Sequence, residues 1–137
     1  LVSSKEASKS IKKEVTEAAE SRPMYEQRPW GEYRIVDSTV FPDGSQSLVK
    51  ELTIREGCQL CCQRHDHRSE TWTIISGTGE IALDGFVQQV RSGSAVKIES
   101  GIAHAARAIG TDLHVIEVQT GETLVDEDVQ IFENFWF

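Results

Sequence analysis

The sequence contains no apolar run approaching the roughly 18 to 20 residues that a helix needs to span a bilayer, and no signal-peptide pattern. The expectation is therefore a cytoplasmic chain without a membrane partner. Cysteine is scarce. Cys58, Cys61 and Cys62 are odd in number and crowded together, which suits a reduced chain better than a disulfide scaffold. Cys58 and Cys61 have a zinc-like spacing, but no second cysteine pair follows, so a zinc finger is not expected. Basic charge is short as well. Lys and Arg number 14 against 22 Asp and Glu, a net charge of -8, which argues against nucleic acid because phosphates need a basic surface. That charge does not exclude a phosphorylated small molecule, which needs only one or two local cations. The chain does not begin with Met, which fits a segment trimmed or cut from something longer.

What is present suits one small soluble domain. The 137 residues are 39% hydrophobic and 26% charged, enough for a single core. Residues 8–20 carry Ile11, Val15 and Ala18 at helical spacing among Lys and Glu, which predicts a helix with a thin apolar stripe. A Pro-bearing connector, 21–28, follows it. Residues 1–27 are thus expected to be a helical arm or the end of a preceding domain, with a barrel over 28–137.

From Trp30 onward the pattern is one of short strands, at 33–36, 47–54, 60–65, 70–75, 80–83, 86–90, 95–98, 103–108 and 113–119. Turn residues such as Pro42-Asp43-Gly44, Ser76-Gly77 and Ser92-Gly93 separate them, and Asp84-Gly85 is a two-residue hairpin signal. Helices between strands are missing, which excludes an open α/β sheet. The fold class is all-β, a small antiparallel sandwich or barrel.

Three of the four His fall in two segments that would converge in such a barrel. Gln63, His65 and His67 lie at period two, so a strand through them would point all three to one face. Glu70 follows a short turn, and His104 comes from a later strand. Two imidazoles, a carboxylate and one further donor form a site for a divalent transition metal. His114 stands apart and is read as structural.

The spacing resembles the two motifs of the cupin superfamily, which implies a jelly-roll barrel. From Gly57, five residues lead to Gln63, then His65, Glu70 and Gly77; a second motif runs through Gly93, Glu99, Gly101 and His104. This register makes Gln63, His65, Glu70 and His104 the metal ligands and leaves His67 beside them. The alternative register pairs His65 with His67.

A narrower resemblance rests on RPWGEYR from Arg28, QRHDHRSETW from Gln63, SGTGE from Ser76 and VIEVQTGETLVDEDV from Val115. These segments are similar to the C-terminal cupin of type II phosphomannose isomerases, which are commonly fused behind a mannose-1-phosphate guanylyltransferase domain. The resemblance implies interconversion of mannose 6-phosphate and fructose 6-phosphate with a divalent metal, zinc first, then Co, Ni, Mn or Fe. Such an isomerase needs a metal to stabilise an enediolate, a base to shuttle a proton and a cation for the phosphate. His67 is the first candidate base and Glu117 the second; Arg68 or Lys50 would hold the phosphate. Ala105 and Gln130, where the family tends to carry Arg, favour an alternative, a non-catalytic or regulatory sugar-binding cupin that keeps its metal site. Trp30, Trp72 and the Phe135-Trp136-Phe137 tail offer apolar surface, so a homodimer is expected.

Overall fold

The computed structural model describes residues 24–132. The helix expected at 8–20 and the Phe135-Trp136-Phe137 tail lie outside the described residues. Within them the chain forms eleven strands: β1 Tyr25–Arg28, β2 Gly31–Val40, β3 Gln46–Ile54, β4 Gln59–Arg64, β5 Ser69–Ser76, β6 Thr78–Leu83, β7 Phe86–Arg91, β8 Ala95–Ile98, β9 His104–Ala108, β10 Leu113–Gly121 and β11 Gln130–Phe132. No helix among them is long and apolar enough to cross a membrane.

Strong period-two patterning explains the strands. In β10, Leu113, Val115, Glu117 and Gln119 are buried and alternate with more exposed neighbours, the signature of a strand with one face on a core. The hairpin read at Asp84-Gly85 forms as expected, with Leu83 opposite Phe86. Both turn residues have positive φ, 49° and 87°, as a tight primed turn requires. Gly77 is needed for a different reason. At φ 94° a Cβ there would lie 1.9 Å from the Asp112 carbonyl oxygen, so the chain can pass only without a side chain.

Two sheets result. One has six strands in the order β1-β2-β3-β10-β5-β8, the other five in the order β11-β4-β9-β6-β7. From β3 to β11 the chain crosses repeatedly between them, the antiparallel weave of a jelly roll. Leu48, Leu52, Ile54, Trp72, Ile74, Ile81, Ile98 and Leu113 fill the space between the sheets. Each side chain of that size contributes about 1.5–3 kcal/mol when buried.

Four expectations need correction. Part of the stretch read as a connector is strand β1, which pairs with β2 from Tyr25 opposite Arg34 to Arg28 opposite Gly31. A last short strand, β11, pairs with β4 through Gln130, Ile131 and Phe132. Finally, β4 stops at Arg64, so His65 and His67 are not on a common strand. Trp72, expected to supply outward apolar surface, is buried in the core.

Candidate metal centre

The weave brings donors from both sheets to one interior point. His65 follows the end of β4, Glu70 is near the start of β5, and His104 opens β9. Gln63 lies directly opposite His104 across the β4–β9 pair. His65, Glu70 and His104 are 4%, 2% and 1% exposed, and each offers one ligand atom within 4.8 Å of the others. Among the described residues no other His, Cys, Asp or Glu trio converges in this way. Cys58, Cys61 and Cys62 stay free thiols outside it, and His114 is exposed beside Thr53.

Hydrogen bonds fix how each donor points. His65 Nδ1 lies 2.7 Å from the Asp128 carbonyl oxygen, and His104 Nδ1 lies 3.0 Å from that of Ile102. A carbonyl only accepts, so each Nδ1 carries the proton and each neutral ring keeps a bare lone pair on Nε2. Those Nε2 atoms face Glu70, at 3.4 Å from Oε2 for His65 and 3.6 Å from Oε1 for His104. Glu70 Oε1 also accepts from Trp72 Nε1 at 3.2 Å. Burial, with Arg68 adding to it, pushes the His65 ring down to about 4. Burial likewise lowers His104. Both rings are therefore neutral near pH 7, the form that ligates a metal.

One atom tests whether a cation belongs here. His104 Nε2 is buried without any hydrogen-bond partner among the described residues. An unsatisfied buried acceptor costs about 1–3 kcal/mol. Two imidazole nitrogens and a carboxylate are a donor set for a transition metal, and a metal would satisfy that lone pair. The residues fit the group.

Above this floor a cavity of about 400 Å³ opens, walled by Trp30, Tyr33, Lys50, Gln63, Arg68 and Glu117 among others. Arg68 reaches down into the floor, with Nε 2.9 Å from Glu70 Oε2 and Nη2 3.1 Å from His65 Nε2. Lys50 Nζ sits 4.2 Å above the Tyr33 ring, a cation–π contact. Glu117 is paired across strands with Lys50 and accepts from Gln119 Nε2 at 2.6 Å. Burial and the neighbouring Glu70 raise the Glu117 carboxyl above its usual range.

The other expected residues fall elsewhere. His67 is exposed in the turn between β4 and β5, and it is not part of the cavity wall. Ala105 points away from the site and packs with Cys62 and Ala82 in a separate buried cluster. Gln130 is exposed on β11 and accepts a hydrogen bond from Arg64. Neither Ala105 nor Gln130 lines the cavity. Asp128 is the residue that the sequence reading missed. Its carboxylate accepts from the backbone N–H groups of Asp66 and His67, both at 2.9 Å, while its carbonyl orients His65. Burial would raise that carboxyl, but the two N–H donors outweigh it and hold it below the usual range.

Two woven sheets closed around a His-Glu-His group define a cupin. A solved RmlC-like cupin from Shewanella frigidimarina superposes with a TM-score of 0.60 over 74% of this chain and 86% of that one, at 13% identity. The chain belongs to the mannose-6-phosphate isomerase C-terminal family, whose model matches residues 14–134. Among full-length relatives, the alginate biosynthesis protein AlgA of Pseudomonas putida is 36% identical over 80% of this chain and 22% of its own length. Mannose-1-phosphate guanylyltransferase ManC of Salmonella typhimurium is 33% identical over 78% of this chain and 22% of its own. The chain thus spans about a quarter of the length of the curated relatives it matches.

These comparisons overturn the expected interconversion of mannose 6-phosphate and fructose 6-phosphate. Relatives named for an activity are guanylyltransferases, and the match covers only 21–29% of their length. The base first assigned to an isomerase, His67, also faces solvent. The family still belongs to mannose-phosphate metabolism.

Proposed function

We propose that this domain is a metal-holding cupin that binds a phosphorylated hexose, as one module of a larger guanylyltransferase-type protein. The observation that carries the reading is the buried, partnerless Nε2 of His104 facing Glu70 and His65. His65, Glu70 and His104 would hold the metal, with the Gln63 amide beside them as a fourth donor. The mixed nitrogen and oxygen set suits zinc first, with Co, Ni, Mn or Fe also compatible. A divalent ion would supply a Lewis-acidic contact for sugar oxygens. Lys50 and Arg68 supply the cations for a phosphate, and Glu117 with Gln119 offers hydrogen bonds to hydroxyls.

The match to one quarter of longer relatives supports the fusion. Exposed Phe86 and Val87 on the edge strand β7 support a homodimer. Three unpaired thiols suit the reducing cytoplasm. Calorimetry of dialysed protein with zinc or cobalt, followed by mannose 1-phosphate or mannose 6-phosphate, tests the reading. One ion per chain and saturable binding of a hexose phosphate are expected. Binding of metal without any sugar phosphate would reduce the domain to a metal site, and no metal binding would refute the reading.

A further inference from the structure

Arg68 is the part of the site that a metal centre alone does not explain. Its side chain is only 10% exposed, and its guanidinium hydrogen-bonds Glu70 Oε2 and His65 Nε2. Those two atoms belong to two of the three groups that would ligate a metal. A guanidinium only donates and does not lose its charge, so it serves here as the cation that balances a buried carboxylate. It cannot reach every donor, because His104 Nε2 remains without a partner. A divalent ion would take all three groups, and would meet a positive charge already seated on two of them.

We propose that Arg68 competes with the divalent cation for Glu70 and His65, and that a phosphate group in the cavity favours metal binding by drawing the guanidinium away. This rests on the metal reading above. The charges make the coupling directional. With Arg68 seated, Glu70 is already neutralised; adding a doubly charged ion leaves surplus positive charge in a confined, poorly solvated space. Arg68 can relieve that only by leaving Glu70, and the cavity it lines is the space open to it. Lys50 lines the same cavity, so the two cations together form a receptor for a dianion. By linkage, phosphate must then tighten the metal by the same factor as the metal tightens phosphate.

The test is calorimetric titration of cobalt(II) into dialysed parent, Arg68→Met and Arg68→Lys, each with and without inorganic phosphate. Arg68→Met should bind cobalt at least about tenfold more tightly than the parent, within the usual range of coupling between sites. Phosphate should tighten cobalt binding roughly fivefold or more in the parent and leave Arg68→Met unchanged. Thermal melts establish that each variant is folded. Should Arg68→Met fail to fold, Arg68→Lys keeps a charge beside Glu70 but cannot bridge to His65 as well, and should still bind cobalt more tightly than the parent. Equal or weaker cobalt binding in folded variants, or a phosphate effect absent from the parent or the same in parent and Arg68→Met, overturns the proposal while leaving the metal site standing. A parent that binds no cobalt removes the metal reading, and this competition with it.

Discussion

At the floor of the cavity, each imidazole is tied through Nδ1 to a backbone carbonyl and Glu70 is tied to the Trp72 indole. At the mouth, Lys50 rests on the Tyr33 ring and Arg68 is held by side chains alone. The floor donors are short and buried, and each imidazole is oriented by a backbone carbonyl. The mouth cations sit on long, flexible stems that can be redirected. A fixed floor suits a metal, whose ligands must be held in place before it arrives, and an adjustable mouth suits an anion of variable position. On the proposed function, the same cavity would divide its work by rigidity.

The comparison can be broken from outside the cavity first. Ala105 is 1% exposed and packs with Cys62 and Ala82 behind the floor. Ala105→Arg should therefore destabilise the domain by more than about 3 kcal/mol, through overpacking and burial of an unpaired charge, and add no anion affinity. Urea denaturation beside a phosphate titration measures both. Stability near that of the parent with stronger phosphate binding would put position 105 at the mouth.

A smaller effect should follow from loosening the floor's support. Asp128→Ala removes the acceptor of two backbone N–H groups in the turn that carries His65. We expect about 1–3 kcal/mol lost from stability and a roughly 10- to 100-fold loss in metal affinity. Asp128→Asn, which can still accept one of those bonds, should fall between the two. Unchanged metal binding in Asp128→Ala would mean that the floor does not depend on this loop.

Smaller again, and confined to acid, is the effect of protonating the floor. An unfolded His has a pKa near 6.5, whereas His65 in the fold is pushed down to about 4. Between those values the unfolded chain binds the extra proton and the folded chain does not. Stability therefore falls as pH drops from about 6.5 towards 4 and is fully present above that window. Metal affinity, set by the folded ring, should hold to lower pH than a free imidazole would allow. Denaturation midpoints and cobalt affinities between pH 4 and 7 check the sign. A midpoint that rises as pH falls through this window would contradict it.

Much of this arrangement could be read from the residues. Alternation in segments such as β10 and the Asp84-Gly85 hairpin gave an antiparallel all-β fold, because one buried face per strand leaves a period of two. His65, Glu70 and His104, which stand out by their spacing, are the residues that converge. The reading failed where a strand ended. His67 is expected beside the ligands, in the turn before Glu70, but β4 stops at Arg64 and the turn held by Asp128 carries His67 to the surface. Asp128 itself could not be recognised, since it acts through backbone groups that leave no trace in residue spacing. Ala105 misled for a related reason: adjacency to His104 suggests the same site, whereas neighbours on a strand point to opposite faces.

Whether the floor holds a metal is tested most directly by cobalt(II) binding to the dialysed parent and to His104→Ala. One ion per chain is expected for the parent and a loss of roughly 100-fold or more in affinity for the variant, the scale of removing a ligand that contributes about 3 kcal/mol. No stoichiometric binding by the parent, or equal binding by a folded His104→Ala, would contradict it.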